Sequence, residues 1–500
     1  MALTDPPAVT DAHDLPATEL VRLLREGEVA SGELLDHFLD RVDRVDGAIN
    51  AVVALDAERA RERAAAADAA RARGESWGPL HGLPMTVKDA FETEGVVTTS
   101  GAPELRDHVP ATDAEAVARL KAAGAVVFGK TNLPLYAGDL QTYNDVYGRT
   151  NNPWAPDRTV GGSSGGSAAA LAAGMTGLEL GSDIGGSIRN PAHFCGVFGL
   201  KPTWGIVPER GHIPGPPGSL APSDVGVIGP LGRSAADLEL ALGVLAGPDG
   251  DDAAGWRLAL PPARNGGAVE GLRVATWFDD PFVPIARETR ALLDAAAGAL
   301  AGAGAEVTAV DPPVGLGDLA RSWERLVLPL VAARLSEEEF AAFCAGADAS
   351  PVAEDDGPTT RALRAMTSRH RDWASAHEAR HRHRRRFAEL FEHYDVLLAP
   401  VMPTAAHPHD TRTDITARVV DVDGDARSYL EGMYWCGGIG TLLVPVAVPP
   451  IGRTHAGLPV GVQVVAPHLH DLTAIAVAGH LEQLLGGFVP PPASARAAAG

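Results

Sequence analysis

Residues 161–174 read GGSSGGSAAALAAG. Four glycines and three serines open the run, and a small-residue segment of helical character closes it. A chain that feeds so flexible a loop straight into a helix, between apolar runs of strand character, is constrained to an architecture in which loops join strands to helices. The spacing of Gly161 and Gly166 fits a phosphate-binding loop, but the next residue is Ser167 where that motif needs lysine. The loop therefore has the flexibility of an anion cradle without its charge, and hydroxyl groups in its place.

The flanking sequence keeps alternating. Residues 18–26 and 31–43 read as amphipathic helices, the second with Leu34, Leu35, Phe38, Leu39 and Val42 at helical spacing behind a Ser31 cap. A long Ala/Arg helix is expected over 56–73. GLPMTVKDAF (82–91) is short, apolar and β-branched, and reads as a buried strand. DAEAVARLKAAGAVVFGK (113–130) gives a helix, a stop at Gly124 and a strand. After the glycine-rich loop come a helix (167–174) and the strand LELGS (178–182). Residues 231–247 look helical, and GPDGDDAAG (247–255) is the clearest surface break. Residues 284–395 are mostly helical, and strand texture returns at 394–403, 441–449 and 458–467. The expectation is one α/β domain over 1–500, with a core of about 50–250 and 390–485 and a helical excursion of about 255–390.

Composition narrows the function. With 45% apolar residues a sizeable core can form, and a net charge of −22 argues against non-specific binding to nucleic acid or an anionic membrane. The Arg/His-rich stretch HEARHRHRRRFAELF (377–391) could be an anion patch, but a solvated helix face is the better reading in so acidic a chain. Cys195, Cys344 and Cys436 show neither metal spacing nor a disulfide framework. The N-terminus has no signal-peptide pattern and no run of eighteen apolar residues occurs, so a soluble cytoplasmic protein is expected. Lysine occurs only at 88, 121, 130 and 201. Where an arginine-rich chain keeps lysine, a group that can lose its proton when buried is one reason.

Three segments combine glycine with reactive side chains: the strand around Lys88, the loop at 161–167, and GSDIGGSIRNPA (181–192). Gly185 and Gly186 directly precede Ser187, and glycines let several N–H groups converge beside a hydroxyl. That is what acyl transfer requires, with the hydroxyl attacking and the N–H groups holding the oxyanion. A tight turn at a strand end is the structural alternative, and the GxSxG elbow is absent. A serine nucleophile needs a base. His81, His193 and His212 are candidates, and so is Lys88, whose pKa would fall in an apolar strand.

These residues carry a resemblance. GGSSGGSAAALAAG followed by GSDIGGSIRNPAHFCGVFGLKPTWG resembles the signature region of the amidase signature family. GPLHGLPMTVKDAF resembles that family's lysine segment, GKTNLPLYAGDLQTYNDVYGRTNNPW the stretch before its glycine-rich loop, and GLPVGVQVVAP its closing strand. The likeness covers roughly 15–245 and 390–485 and is strongest across 80–205. It implies a large mixed, twisted β-sheet covered by helices on both faces. It implies an amidase using a Ser-cisSer-Lys triad, with Lys88 as the base, Ser163 as the bridging serine after a cis peptide, and Ser187 as the acylated nucleophile. Ile184, Gly185, Gly186 and Ser187 match the oxyanion donors, and Ala137 a backbone contact to substrate. Ser164, Asp183 and Arg189 are expected to support the site, and Cys195 and Lys201 to be structural. No metal or other cofactor is implied, and the partners expected are a small-molecule amide and at most a second copy of the chain. Val160 departs from the proline common at that position in the family, and 415–438 matches no family pattern. Relatives of this kind include amidotransferase components that take ammonia from glutamine. Carbamate or ester hydrolysis and amide-forming acyl transfer would use the same triad.

Overall fold

The computed structural model describes residues 9–214, 216–349 and 357–492. The N-terminal helices form as their patterns require. In the Ser31–Ile49 helix, Leu34, Leu35, Phe38, Val42, Val45 and Ile49 fall on one buried face. Its start differs from expectation. Ser31 is already helical, and its hydroxyl donates to the Gly82 carbonyl at 2.7 Å. The capping acceptor is instead the Asp68 carboxylate, from the Ala57–Ala72 helix, which receives the N–H groups of Ser31 (2.8 Å) and Gly32 (3.0 Å). A side chain distant in sequence thus satisfies donors that a local cap would otherwise take.

The strands form two principal sheets. A three-stranded sheet holds Val52–Leu55, Val126–Thr131 and Pro84–Lys88, with the last two parallel. A nine-stranded mixed sheet runs in the order Glu306–Ala309, Arg273–Thr276, Val396–Pro400, Pro459–Val465, Val446–Val448, Phe198–Lys201, Val227–Gly232, Glu179–Asp183, with Pro450–Arg453 paired to Pro459–Val465. Six of these strands are buried at every position. Successive side chains point to opposite faces, so burial at every position means that both faces are covered. The fold is therefore α/β, with a mixed sheet between layers of helix.

Three features were not legible. The lysine strand lies in the smaller sheet, packed beside Glu179–Asp183 without joining its ladder. The middle region supplies two strands, Arg273–Thr276 and Glu306–Ala309, parallel at one edge of the large sheet. It is not helical throughout, because RVAT and EVTA are too short for periodicity to separate them from their helical neighbours. The helix after the glycine-rich loop begins at Gly165, two residues earlier than its small-residue pattern shows.

The remaining middle helices matter for what they cover. The Leu316–Ala332 helix packs on the short Tyr434–Gly440 helix, above the end of Glu179–Asp183. The Arg/His-rich helix, His370–His393, keeps Arg382 and Arg385 in solvent, while Arg380 turns inward to meet Asp224 at 2.5 Å.

Candidate active site

Lys88 ends a strand whose five residues are all buried, and it is itself fully buried. Its Nζ lies 2.6 Å from Ser163 Oγ, 3.0 Å from Ser182 Oγ and 3.1 Å from Ser164 Oγ. Burial pushes the amine down to about 7, against the opposing pull of the Asp183 and Glu179 carboxylates. Ser163 follows a cis peptide bond from Gly162. Ser164 cross-links the site: its hydroxyl donates to the Ser182 carbonyl (3.3 Å), and its N–H donates to the Ser187 carbonyl (3.0 Å).

Ser187 lies in the turn between the Glu179–Asp183 strand and the Arg189–Cys195 helix. Its hydroxyl makes no hydrogen bond among the described residues, and the residue is 7% exposed. Ser163 and Ser187 are joined through the Ser164 backbone and not by their hydroxyls. The N–H groups of Ile184, Gly185 and Ser187 have no acceptor among the described residues. Gly186 differs from the expectation for it, because its N–H donates to Asp183 Oδ1 at 2.9 Å. Three of the four positions thus present open donors. The Ala137 carbonyl is likewise unbonded among the described residues, at a backbone position with φ of 59° that follows Tyr136 at 48°. Two successive left-handed non-glycine residues are uncommon and cluster where structure enforces them.

Asp183 and Arg189 form a fully buried pair at 2.7 Å. Burial alone would raise the Asp183 carboxyl, but the Arg189 charge and hydrogen bonds from Arg189 and the Ile188 N–H hold it at about 2. Arg189 also donates to the Cys436 carbonyl (2.8 Å) and to Gln463 Oε1 (2.7 Å). The pair therefore ties the 184–187 turn to the closing strand. Replacing Arg189 by methionine would strand a buried carboxylate, and a loss of about 3–5 kcal/mol is expected in denaturant unfolding.

The histidine candidates do not join the serines, although His212, lowered chiefly by burial, lies near enough for the Lys88 charge to lower it further. His193 accepts from the Gly461 N–H at 2.9 Å and contacts the Thr404 carbonyl, and burial lowers it to about 4. His81 is held by the Trp77 N–H and the Ala67 carbonyl, and His212 packs on Phe91. None of the three bonds either serine. Cys195 is buried with its thiol pushed up by desolvation, and Lys201 donates to the carbonyls of Pro202 and Val444, as structural residues do. Sequence reasoning missed Ser182 and Glu179. Glu179 is buried, raised by desolvation to about 7, and receives Thr86 and Thr131 hydroxyls. Both sit in the strand beside Lys88, and nothing in their local pattern aims them at it.

The wall next to this turn is apolar. Trp323 donates from Nε1 to the Ile184 carbonyl at 2.8 Å. Its ring lies so close to Gly185 that a Cβ there would sit 2.9 Å from it. Trp323, Val225, Val327 and Leu443 form a small cluster apart from the main core, with Ile184, Trp204, Leu328 and Met433 partly buried against it.

A family model described as "Amidase" matches residues 33–474. The A subunit of the glutamyl-tRNA(Gln) amidotransferase of Synechococcus sp. (strain CC9605) is 34% identical, over 97% of this chain and 99% of its own. A solved structure described as a vestigial protein complex revealing the origins of an s-triazine catabolic enzyme is 30% identical with a TM-score of 0.78, covering 96% of this chain and all of its own (100%). A bacterial aryl acylamidase of the amidase signature enzymes is 26% identical with a TM-score of 0.79, covering 95% of this chain and 96% of its own.

Proposed function

As the chain belongs to the amidase family, we propose that it cleaves the C–N bond of a carboxylic amide through a Ser187 acyl-enzyme. The observation that carries this reading is the buried Lys88 amine, held among three hydroxyls with a pKa near neutrality. A neutral amine has one lone pair and two N–H bonds. It can accept from Ser163 while donating to Ser164 and Ser182. Ser163 then takes the proton of Ser187, whose oxygen attacks the amide carbon. The negative oxygen faces the open N–H groups of Ile184, Gly185 and Ser187, each worth about 3–4 kcal/mol of barrier in a dry site. Ser163 returns a proton to the departing nitrogen, the C–N bond breaks, and water releases the carboxylic acid by the reverse relay. Closing the gap between the Ser163 and Ser187 hydroxyls falls to the bound substrate, a tightening common in catalytic hydrogen bonds.

The apolar cluster beside Ile184 supports an acyl group that is itself apolar, aryl or alkyl. A second reading is favoured by the curated relatives, amidotransferase A subunits matched along nearly their whole length. In it the same relay releases ammonia from glutamine for a partner protein. The test begins with a fluorophosphonate and the folded chain alone. One adduct on Ser187, followed by hydrolysis of aryl or alkyl amides without a partner, is the expected result. Ammonia from glutamine only when a partner is added would establish the second reading, no adduct on the chain alone would count against the first, and no adduct with the partner present would remove both. Trp323→Ala is expected to raise KM for bulky apolar amides about tenfold or more, from the roughly 1.5–3 kcal/mol that a buried large apolar side chain contributes, and to slow acetamide hydrolysis as well, because it releases the Ile184 carbonyl and the face of Gly185.

A further inference from the structure

The segment before the glycine-rich loop is braced by Asp410, Arg418 and Tyr429, from far along the chain. Asp139 receives Arg418 Nη1 at 2.7 Å, the Tyr143 hydroxyl at 3.0 Å and the Tyr429 hydroxyl. Arg418 and Asp139 have side chains only 2% and 10% exposed. Arg418 also donates to the Tyr143 hydroxyl at 2.6 Å and to the Arg412 carbonyl, and its guanidinium lies 5.3 Å from the centre of the Tyr429 ring. Gln141 pairs in both directions with the Asp410 backbone, at 2.7 and 3.0 Å. The held segment lies directly on the loop: a Cβ at Gly162 would sit 2.5 Å from the Asp139 carbonyl oxygen and 2.7 Å from Gln141 N and Leu140 C. Thr142 Oγ1 completes the contact by donating to the Gly161 carbonyl at 2.8 Å.

We propose that Arg418 is a positioning residue, which through Asp139 presses the 139–141 backbone onto Gly162 and so fixes Ser163 against Lys88. The proposal rests on the reading above that Ser163 is the relay serine. Backbone lies against backbone here, with no side chain between them to take up a displacement. A shift of Asp139 therefore reaches Ser163 within one residue. A buried ion pair adds little net stability over an apolar substitute, whereas geometric errors of about 1 Å in a reacting group cost on the order of 100-fold in rate.

The test compares Arg418→Met, Arg418→Lys and Asp139→Asn in the full chain by two readouts. One is amide hydrogen exchange at Gly161, Ser164 and Gly166, and the other is the rate at which a fluorophosphonate labels Ser187 in the folded fraction. Arg418→Met and Asp139→Asn are expected to speed exchange at these amides at least tenfold and to slow labelling by about 100-fold. Arg418→Lys restores part of both, and the pH midpoint of labelling stays in place because Lys88 is untouched. A lower melting temperature with unchanged exchange and labelling would make Arg418 merely structural and overturn the proposal. Failure of the wild type to label would sink the catalytic reading, while exchange still decides the brace. Should Arg418→Met not fold, Tyr429→Phe removes one hydrogen bond to Asp139 and must move exchange in the same direction.

Discussion

Replacing Ser187 by alanine is expected to abolish turnover, by a factor on the order of 10⁶, the scale at which loss of the nucleophilic serine registers in a serine protease. The fold should barely respond. The Ser187 hydroxyl has no hydrogen-bond partner among the described residues, so its removal leaves no buried group unsatisfied. The bonds that hold the turn, from Ser164 N to the Ser187 carbonyl and from Gly186 N to Asp183, belong to the backbone or to other residues. Stability is expected to stay within about 0.5 kcal/mol of wild type. Turnover measured beside denaturant unfolding checks both halves, and retained activity in a folded variant would remove Ser187 from the mechanism.

The second large effect is at Lys88. Lys88→Met keeps the volume and removes the base, and a loss on the order of 10³- to 10⁵-fold is expected, since general base and nucleophile activation both depend on the amine. The wild-type rate should rise with pH through about 7, as the amine loses its proton, and that limb should vanish in the variant. The Glu179 carboxylate, when charged, favours the ammonium form of the same amine. Removing the carboxylate in Glu179→Gln lessens the stabilisation of the ammonium form and is expected to move the limb to lower pH. The linked effect on stability has a definite sign. The folded-state pKa of about 7 lies below the ordinary value of 10.5. Between those values the unfolded chain binds the extra proton, so stability rises with pH across that window. At neutral pH the buried amine opposes folding, so in Lys88→Met relief of that penalty is expected to offset the partners lost by the Ser163 and Ser182 hydroxyls, with little net change in unfolding. A variant that lost stability sharply, or a wild-type rate flat from about pH 6 to 9, would contradict the role given to Lys88.

Much of the fold was legible because its signals are local. Periodicity marked the helices at 17–26 and 31–49, and β-branched apolar runs marked the strands at 84–88, 396–400 and 459–465. Glycine next to serine marked both loops of the site. What failed was what local pattern alone could not carry. RVAT and EVTA were hidden between helices, Ser31 carried the composition of a cap without its position, and Gly186 looked like a donor free for substrate. For the two strands and for Ser31 the deciding partner lies far along the chain, whereas for Gly186 it is a side chain of the same turn. Asp183 both supports the turn through Arg189 and takes the Gly186 N–H, a second role that its position in the sequence does not show.

The sequence by itself determined which groups are present: a lysine in an apolar strand, serines in two glycine-rich loops, and helices and strands in an order that builds an α/β protein. Backbone propensity and hydrophobic spacing act over a few residues, and they are written in the order of the chain. Only the tertiary structure decided that Lys88 Nζ has Ser163, Ser164 and Ser182 as its company, that Trp323 walls the Ile184 turn, and that Arg418 reaches back 279 positions to Asp139. Those pairings are set by which sheets and helices pack side by side. The lowered pKa of the lysine exists only after burial has taken away its water.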